Sequence, residues 1–201
     1  MLRPRELSRS LSMFSAKTPT LPPATHTNSY ALGGRDVIVL EGPRAESWDV
    51  LHTPGHAPGH VCLFEKESRT LVVGDMVASV GTILIAPGDG DMKLYIDQLN
   101  RLMAYGGKLA LPAHGDPIDD PDALFLKYIQ HRLAREAKVL AAVQAAGPTG
   151  ADAASLVPHA YADTPMHLWP IAKLSLEMHL EKLEREAKVS RVGAAAFRAV
   201  V

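Results

Sequence analysis

The feature that most constrains this chain is a pair of Pro-Gly-His triplets that follow one another in a single short segment. The segment covers residues 51–60 and reads LHTPGHAPGH. Proline fixes one backbone angle and glycine permits a sharp bend, so each triplet presents an imidazole from a stiff loop. Binding and catalytic residues are found disproportionately on such loops. The segment therefore predicts a loop between two strands that holds His56 and His60 in place for chemistry.

Two further segments follow the same pattern of a strand end and a small residue before a polar side chain. Gly74-Asp75 closes an apolar run, and the segment LPAHG at 111–115 carries His114. Taken alone, a strand-end histidine is more often structural, and Gly-Asp is an ordinary turn signal. Together and in this order, His56, Asp75 and His114 favour a metal site at the tips of three strands, because imidazole and carboxylate are common metal ligands.

Hydrophobic periodicity predicts an α/β protein with a helical C-terminal part. Alternating or continuous apolar runs predict strands at 28–32, 36–40, 48–52, 60–64, 70–74, 108–112 and 189–192, the first two joined at Gly33-Gly34 as a hairpin. Apolar residues at helical spacing predict helices at 91–105, 122–145, 151–159 and 168–188. We expect a flexible tail at 1–24, a sheet-rich domain at 25–120 and a helical domain at 121–201.

Composition narrows the possible partners and compartments. The chain has 201 residues, and 21 Lys and Arg nearly balance 22 Asp and Glu, so no overall charge attracts nucleic acid or a membrane. No apolar stretch is long enough to span a bilayer. The single cysteine, Cys62, lies in an apolar run and is predicted to be a buried thiol in a reducing compartment. We expect a cytoplasmic protein; the Arg- and Ser-rich start also fits an organellar transit segment.

The strand-tip residues resemble those of the metallo-β-lactamase superfamily, in the branch of hydroxyacylglutathione hydrolases and β-lactamase-like protein 2. The resemblance implies an αββα sandwich followed by a small winged-helix-like domain. It makes His56 a ligand of a first zinc ion, Asp75 the catalytic carboxylate that bridges two zinc ions, and His114 a ligand of the second. His60 and His52 would support these ligands or pack beside them, and His26 or His52 could substitute as a ligand.

The family's defining ligand motif, His-x-His-x-Asp-His, is absent from this sequence. In the family the motif follows the N-terminal hairpin after a helix and a further strand, whereas only about ten residues separate the expected hairpin from the strand at 48–52 here. We therefore expect a truncated sandwich with four of the family's ligands missing and with zinc bound weakly or in fewer than two positions. An exposed sheet edge would favour self-association into a homo-oligomer.

The resemblance implies a zinc-dependent hydrolase in which metal-activated water attacks a thioester, ester, lactone or phosphodiester of a small molecule. A catalytically silent binding or scaffold protein is the alternative that the missing ligands favour. An RNA-processing nuclease is a third hypothesis. The basic residues of the C-terminal part, which could form a nucleic-acid face, alternate with glutamates, and this favours an ordinary solvated surface.

Overall fold

A computed structural model describes the backbone of residues 5–8, 11–16 and 27–32, and residues 47–200 in full. The strands are β1 Arg5–Ser8, β2 Leu11–Ala16, β3 Thr27–Leu32, β4 Trp48–His52, β5 Val61–Glu65, β6 Thr70–Gly74, β7 Leu109–Pro112, β8 Ala151–Asp152, β9 Val189–Val192 and β10 Ala196–Ala199. The helices are α1 Met92–Met103, α2 Pro121–Ala145, α3 Ala153–Ala160 and α4 Trp169–Arg185, with a 3-10 turn at Met166–Leu168. Among the fully described residues, no helix is both long and apolar enough to cross a membrane.

Three strands of the N-terminal part form a small antiparallel sheet in the order β1-β2-β3. β1 and β2 lie within the segment predicted to be a flexible tail. β1 pairs with β2 and β2 pairs with β3, so these residues are strands and not tail. The remainder of the predicted tail lies outside the described residues. So does the predicted strand at 36–40, the second arm of the expected hairpin.

A four-stranded sheet in the order β4-β5-β6-β7 carries the predicted strand-tip residues. β4, β5 and β6 are antiparallel neighbours joined by short connections, whereas β6 and β7 run parallel and are connected through α1. Along β5 every second residue from Cys62 is the more buried one, which is the alternation expected of a sheet with one face on a core. Because β6 and β7 are parallel neighbours, their carboxyl ends lie at the same edge of the sheet.

The chain divides into two compact units. The sheet unit comprises Met1–Thr53, Gly59–Ile83 and Arg101–Phe125, and the C-terminal unit comprises Pro54–Pro58, Leu84–Asn100 and Leu126–Val201. In the sheet unit, apolar side chains from β4 to β7 and from the ends of α1 and α2 are buried, among them Leu51, Cys62, Leu71, Val73, Leu102, Leu111 and Phe125.

The C-terminal unit has a core of its own, built by α2, α3, α4 and the three-stranded sheet β8-β10-β9. α3 begins at the cap residue Asp152, whose carboxylate accepts a hydrogen bond of 2.8 Å from the Ser155 amide. On α4, Leu176, Leu180 and Leu183 are fully buried, as expected for a core stripe at helical spacing. Helices packed against a small sheet with a hairpin, β9-β10, form a winged helix.

The predicted elements from β4 to β9 are confirmed, with ends that differ by at most a few residues. β4, β6 and β9 have the predicted bounds, and the predicted helix at 91–105 is α1. Two strands were missed: β8, which has only two residues, and β10, whose sequence AFRA lies beside an alanine run that gives no strand signal. The two predicted domain boundaries, after residues 24 and 120, stay a prediction.

Candidate functional site

Asp75 and His114 come together at the shared edge of β6 and β7. Asp75 is the first residue after β6, His114 is the second after β7, and the Ala113 amide donates a 2.9 Å hydrogen bond to the Gly74 carbonyl. The His114 Nε2 atom lies 3.2 Å from Asp75 Oδ1, and both side chains are partly exposed. The parallel pairing of the two strands therefore places a carboxylate and an imidazole in direct contact.

The separation of these two atoms fits two neighbouring ligands of a zinc ion. Zn–N and Zn–O bonds of about 2.0–2.2 Å at a tetrahedral angle put the two ligand atoms about 3.4 Å apart. The observed 3.2 Å is close to this value.

His60 holds the backbone of Asp75. The Asp75 amide donates to His60 Nε2 at 3.2 Å, so Nε2 is the acceptor nitrogen and Nδ1 carries the proton. Nδ1 is 2.8 Å from the hydroxyl of Thr53, which is completely buried. The Thr53 hydroxyl is in turn 3.3 Å from the Cys62 thiol. A chain of polar groups thus runs from Cys62 of β5 through Thr53 and His60 to the amide of Asp75.

Gly74 allows the His60 imidazole to lie close to the backbone just before Asp75. Its φ is +52°, in the left-handed region, and a Cβ atom there would lie 2.7 Å from His60 Nε2. A second glycine, Gly115, follows His114 with φ +91°, and a Cβ atom on it would collide with the Ser79 hydroxyl. Both glycines are adjacent to the Asp75–His114 pair, and both are needed because side chains would displace neighbouring polar groups.

Ser79 links the segment after Asp75 to the segment after His114, and sequence reasoning missed it. Its hydroxyl accepts a hydrogen bond of 2.6 Å from the Asp116 amide, and its own amide donates to the His114 carbonyl at 3.3 Å. No sequence pattern could have indicated this role, because Ser79 lies in a stretch with neither strand nor helix periodicity.

His56 lies in the C-terminal unit, which includes the loop Pro54–Pro58. His56 Nδ1 is 3.2 Å from the Leu84 carbonyl. A carbonyl oxygen only accepts, so Nδ1 carries a proton and donates this hydrogen bond. A backbone carbonyl that fixes the tautomer in this way is a usual partner of a metal-binding histidine.

Three comparisons with known proteins agree on the family. The model of the metallo-β-lactamase superfamily matches residues 20–114, and that of the β-lactamase-associated winged-helix domain matches residues 153–198. The chain belongs to the metallo-β-lactamase superfamily. The first match covers Asp75, His114 and the loop of His56, and the second covers α3, α4 and the hairpin β9-β10.

Individual known proteins match most of this chain. The chain spans about half of their own length or less. The β-lactamase-like protein 2 homolog of Drosophila melanogaster is 31% identical over 84% of this chain and 52% of its own length. The atrochrysone carboxyl ACP thioesterase of Aspergillus chevalieri is 30% identical over 63% of this chain and 40% of its own. A metallo-β-lactamase family protein of Thermus thermophilus superimposes with a TM-score of 0.65 at 25% identity, covering 76% of this chain and 49% of that one.

The superfamily's metal centre is not assembled in full by the residues described here. Within residues 47–200, no group of three or more His, Cys, Asp or Glu side chains is placed to hold a metal ion. His52 is an exposed residue at the end of β4, and its carbonyl accepts a 2.8 Å hydrogen bond from Arg101. His26 lies outside the described residues. The Asp75–His114 pair thus fits two positions of a zinc shell, and no catalytic step through a metal follows from it.

Cys62 is confirmed as a buried thiol. It has no exposed surface, and burial raises its pKa to about 12. A thiol with so high a pKa is neither a nucleophile nor a metal ligand at neutral pH, because both roles require the thiolate.

Proposed function

We propose that this chain is a metal-dependent hydrolase of the metallo-β-lactamase superfamily, acting on a thioester, ester, lactone or phosphodiester of a small molecule. The observation that carries the proposal is the contact between His114 Nε2 and Asp75 Oδ1 at 3.2 Å. These two residue types, at the adjoining ends of parallel strands, supply two donor atoms at zinc-binding separation. Zn²⁺ is the proposed metal, and we expect fewer than the two ions per chain that the family binds.

The residues around the pair would keep it in place for such chemistry. His60 binds the Asp75 amide, and Ser79 binds the amide of Asp116 and the carbonyl of His114. With the backbone held on both sides, the carboxylate and the imidazole keep their relative position without help from a ligand. Preorganisation of this kind lowers the cost of assembling a site.

Among the possible substrates, a thioester is the one that a similar protein supports. The Aspergillus chevalieri relative, 30% identical over 128 residues, is named as an atrochrysone carboxyl ACP thioesterase. A thioester is cleaved by attack of water on a carbonyl carbon, which requires a positioned nucleophile and stabilisation of the developing oxyanion. We therefore place thioesters first among the substrates to test.

A catalytically silent binding or scaffold protein is the second candidate. It is favoured by the incomplete ligand set, since catalytic zinc usually has three protein ligands and the residues from 47 to 200 provide no such group. Such a protein would keep the fold and the Asp75–His114 contact but would bind no metal tightly.

The RNA-processing nuclease is the least supported hypothesis. Many basic side chains that could form a nucleic-acid face are in ion pairs with acidic ones: Arg135 and Lys138 with Asp163, Lys173 with Glu177, Lys182 with Glu136, Arg185 with Asp91, Lys188 with Glu186, and Arg191 with Glu184. To bind phosphates, these basic side chains would have to break their ion pairs. The cost of breaking them weakens the electrostatic attraction on which nucleic-acid binding depends.

Metal content and thioester hydrolysis test the proposal together. The purified chain is freed of metal with a chelator, titrated with Zn²⁺, and assayed with an acyl thioester of a small thiol. We expect zinc-dependent hydrolysis that Asp75→Asn abolishes, because the amide cannot replace the anionic ligand. The matched control is Asp119→Asn, an exposed aspartate of the same unit.

The outcomes separate the two leading candidates. Hydrolysis that needs zinc and is lost only in the Asp75 variant supports the hydrolase. Zinc binding too weak to measure, with no hydrolysis by any variant, rejects the hydrolase and favours the silent protein. Hydrolysis that survives both the chelator and Asp75→Asn also rejects it.

A further inference from the structure

The loop that carries His56 is packed against the start of α1 within the C-terminal unit. The Asp91 amide donates a 2.8 Å hydrogen bond to the Gly55 carbonyl. Gly55 has φ +137°, and a Cβ atom on it would collide with the backbone of Tyr95. The residue next to His56 therefore touches the first turn of α1 so closely that only glycine fits.

Asp91 connects this contact to α4. One carboxylate oxygen caps α1 by accepting a 2.9 Å hydrogen bond from the Leu94 amide. The other accepts a hydrogen bond from the guanidinium of Arg185, the last residue of α4. Glu181, one turn earlier on α4, lies 3.8 Å from the same guanidinium and helps to orient it. Arg185 thus reaches the residue whose amide holds Gly55.

Tyr95 makes a second connection, to α2. It is fully buried, and the guanidinium carbon of Arg132 lies 5.4 Å from the centroid of its ring. A cation at this distance over an aromatic face is attracted to it, more strongly when both groups are removed from water. Arg132 is itself buried, so this contact fixes the side of α1 against which Gly55 packs.

We propose that Arg185 is a positioning residue for His56. The helices α2 and α4 fix the start of α1 through the contacts Arg132–Tyr95 and Arg185–Asp91. The start of α1 in turn fixes the loop of His56 through Gly55. The helices of the C-terminal unit then set where one of the candidate ligands stands within that unit. The inference rests on the proposed function in one respect: it takes His56 to be a metal ligand, whose position affects the site.

Hydrogen exchange of single amides, measured by NMR on the full chain freed of metal, tests this directly. Removing the ion pair with Arg185→Ala should speed exchange of the Asp91 amide, which donates to Gly55. An exposed pair of this kind supports an acceleration of up to about fivefold. Arg185→Lys should restore part of the protection, and adding salt to about 1 M should reduce the difference between wild type and Arg185→Ala by screening.

Arg191→Ala is the matched control, since Arg191 pairs with Glu184 in the same unit. Faster exchange at Asp91 in the Arg185 variant alone supports the proposal. Equal exchange in both variants and the wild type overturns it, and so does an acceleration that Arg191→Ala reproduces. If the Asp91 amide responds as expected while no variant binds zinc, the positioning of the loop is supported and the hydrolase proposal fails.

Discussion

Replacing Gly74 by alanine tests the packing around Asp75. At φ +52° an L-residue is strained, and the new Cβ atom would lie 2.7 Å from His60 Nε2. His60 is not a side chain that can swing away at no cost, because its two ring nitrogens are engaged by the Asp75 amide and the Thr53 hydroxyl. The alanine therefore adds a steric conflict to the backbone strain.

The size of the effect follows from these two parts. A left-handed conformation costs a non-glycine residue about 1 kcal/mol. Moving His60 weakens two hydrogen bonds, each contributing about 0.5–1.5 kcal/mol. We expect Gly74→Ala to lower the free energy of unfolding by about 2–4 kcal/mol, the sum of the backbone strain and the two hydrogen bonds.

Urea unfolding followed by circular dichroism measures this free energy, and Gly193→Ala provides the control. Gly193 also has a positive φ, +62°, but no atom lies within 4 Å of a Cβ built on it. Its replacement should cost only the backbone strain, about 1 kcal/mol. In a His60→Ala background the cost of Gly74→Ala should fall to that same value, because the steric conflict is gone.

Two results would refute this reasoning. Equal costs for the two glycine replacements would mean that the contact with His60 contributes nothing to the penalty. An unchanged cost of Gly74→Ala in the His60→Ala background would show independently that the penalty arises elsewhere, since the imidazole is no longer there to be displaced.

Three further outcomes follow from buried side chains. Cys62, fully buried and with its pKa raised to about 12, should not react with a thiol reagent at about pH 8 until the chain is unfolded in urea. Leu176→Ala, which opens a cavity in the C-terminal core, should lower the free energy of unfolding by about 2–5 kcal/mol in the same urea assay. Burial lowers the pKa of His179 below its usual 6.5, so the stability it gives is present above pH 6.5 and is lost as the pH falls below that value; His179→Leu should flatten the pH dependence of the melting temperature below that pH.

Local sequence signals predicted the elements that carry the site. The apolar run ending in Gly74-Asp75 and the run ending before His114 are both strands, and their tips meet. The alternation of apolar residues in β5 and their helical spacing in α1 were sufficient to predict these two elements, because each element buries one face. The prediction that Asp75 and His114 lie together followed from strand-end position, and the parallel pairing of β6 and β7 is what brings them there.

Other contacts had no local signal. Ser79 binds a residue 37 positions away and Arg185 one 94 positions away, and only the folded chain shows which polar groups are within reach. The strand β10 was missed for a different reason: its pairing with β8 is tertiary, and alanine-rich segments have weak strand propensity.

The parallel pairing of β6 and β7 also affects the order in which this chain can assemble. Asp75 and His114 lie far apart in the sequence, and the connection between their strands passes through α1. A hairpin such as β5-β6 closes a short loop, whereas pairing β7 with β6 must close the long crossover connection that contains α1. On the ribosome, the contact between the carboxylate and the imidazole would therefore be one of the late events in the maturation of the sheet.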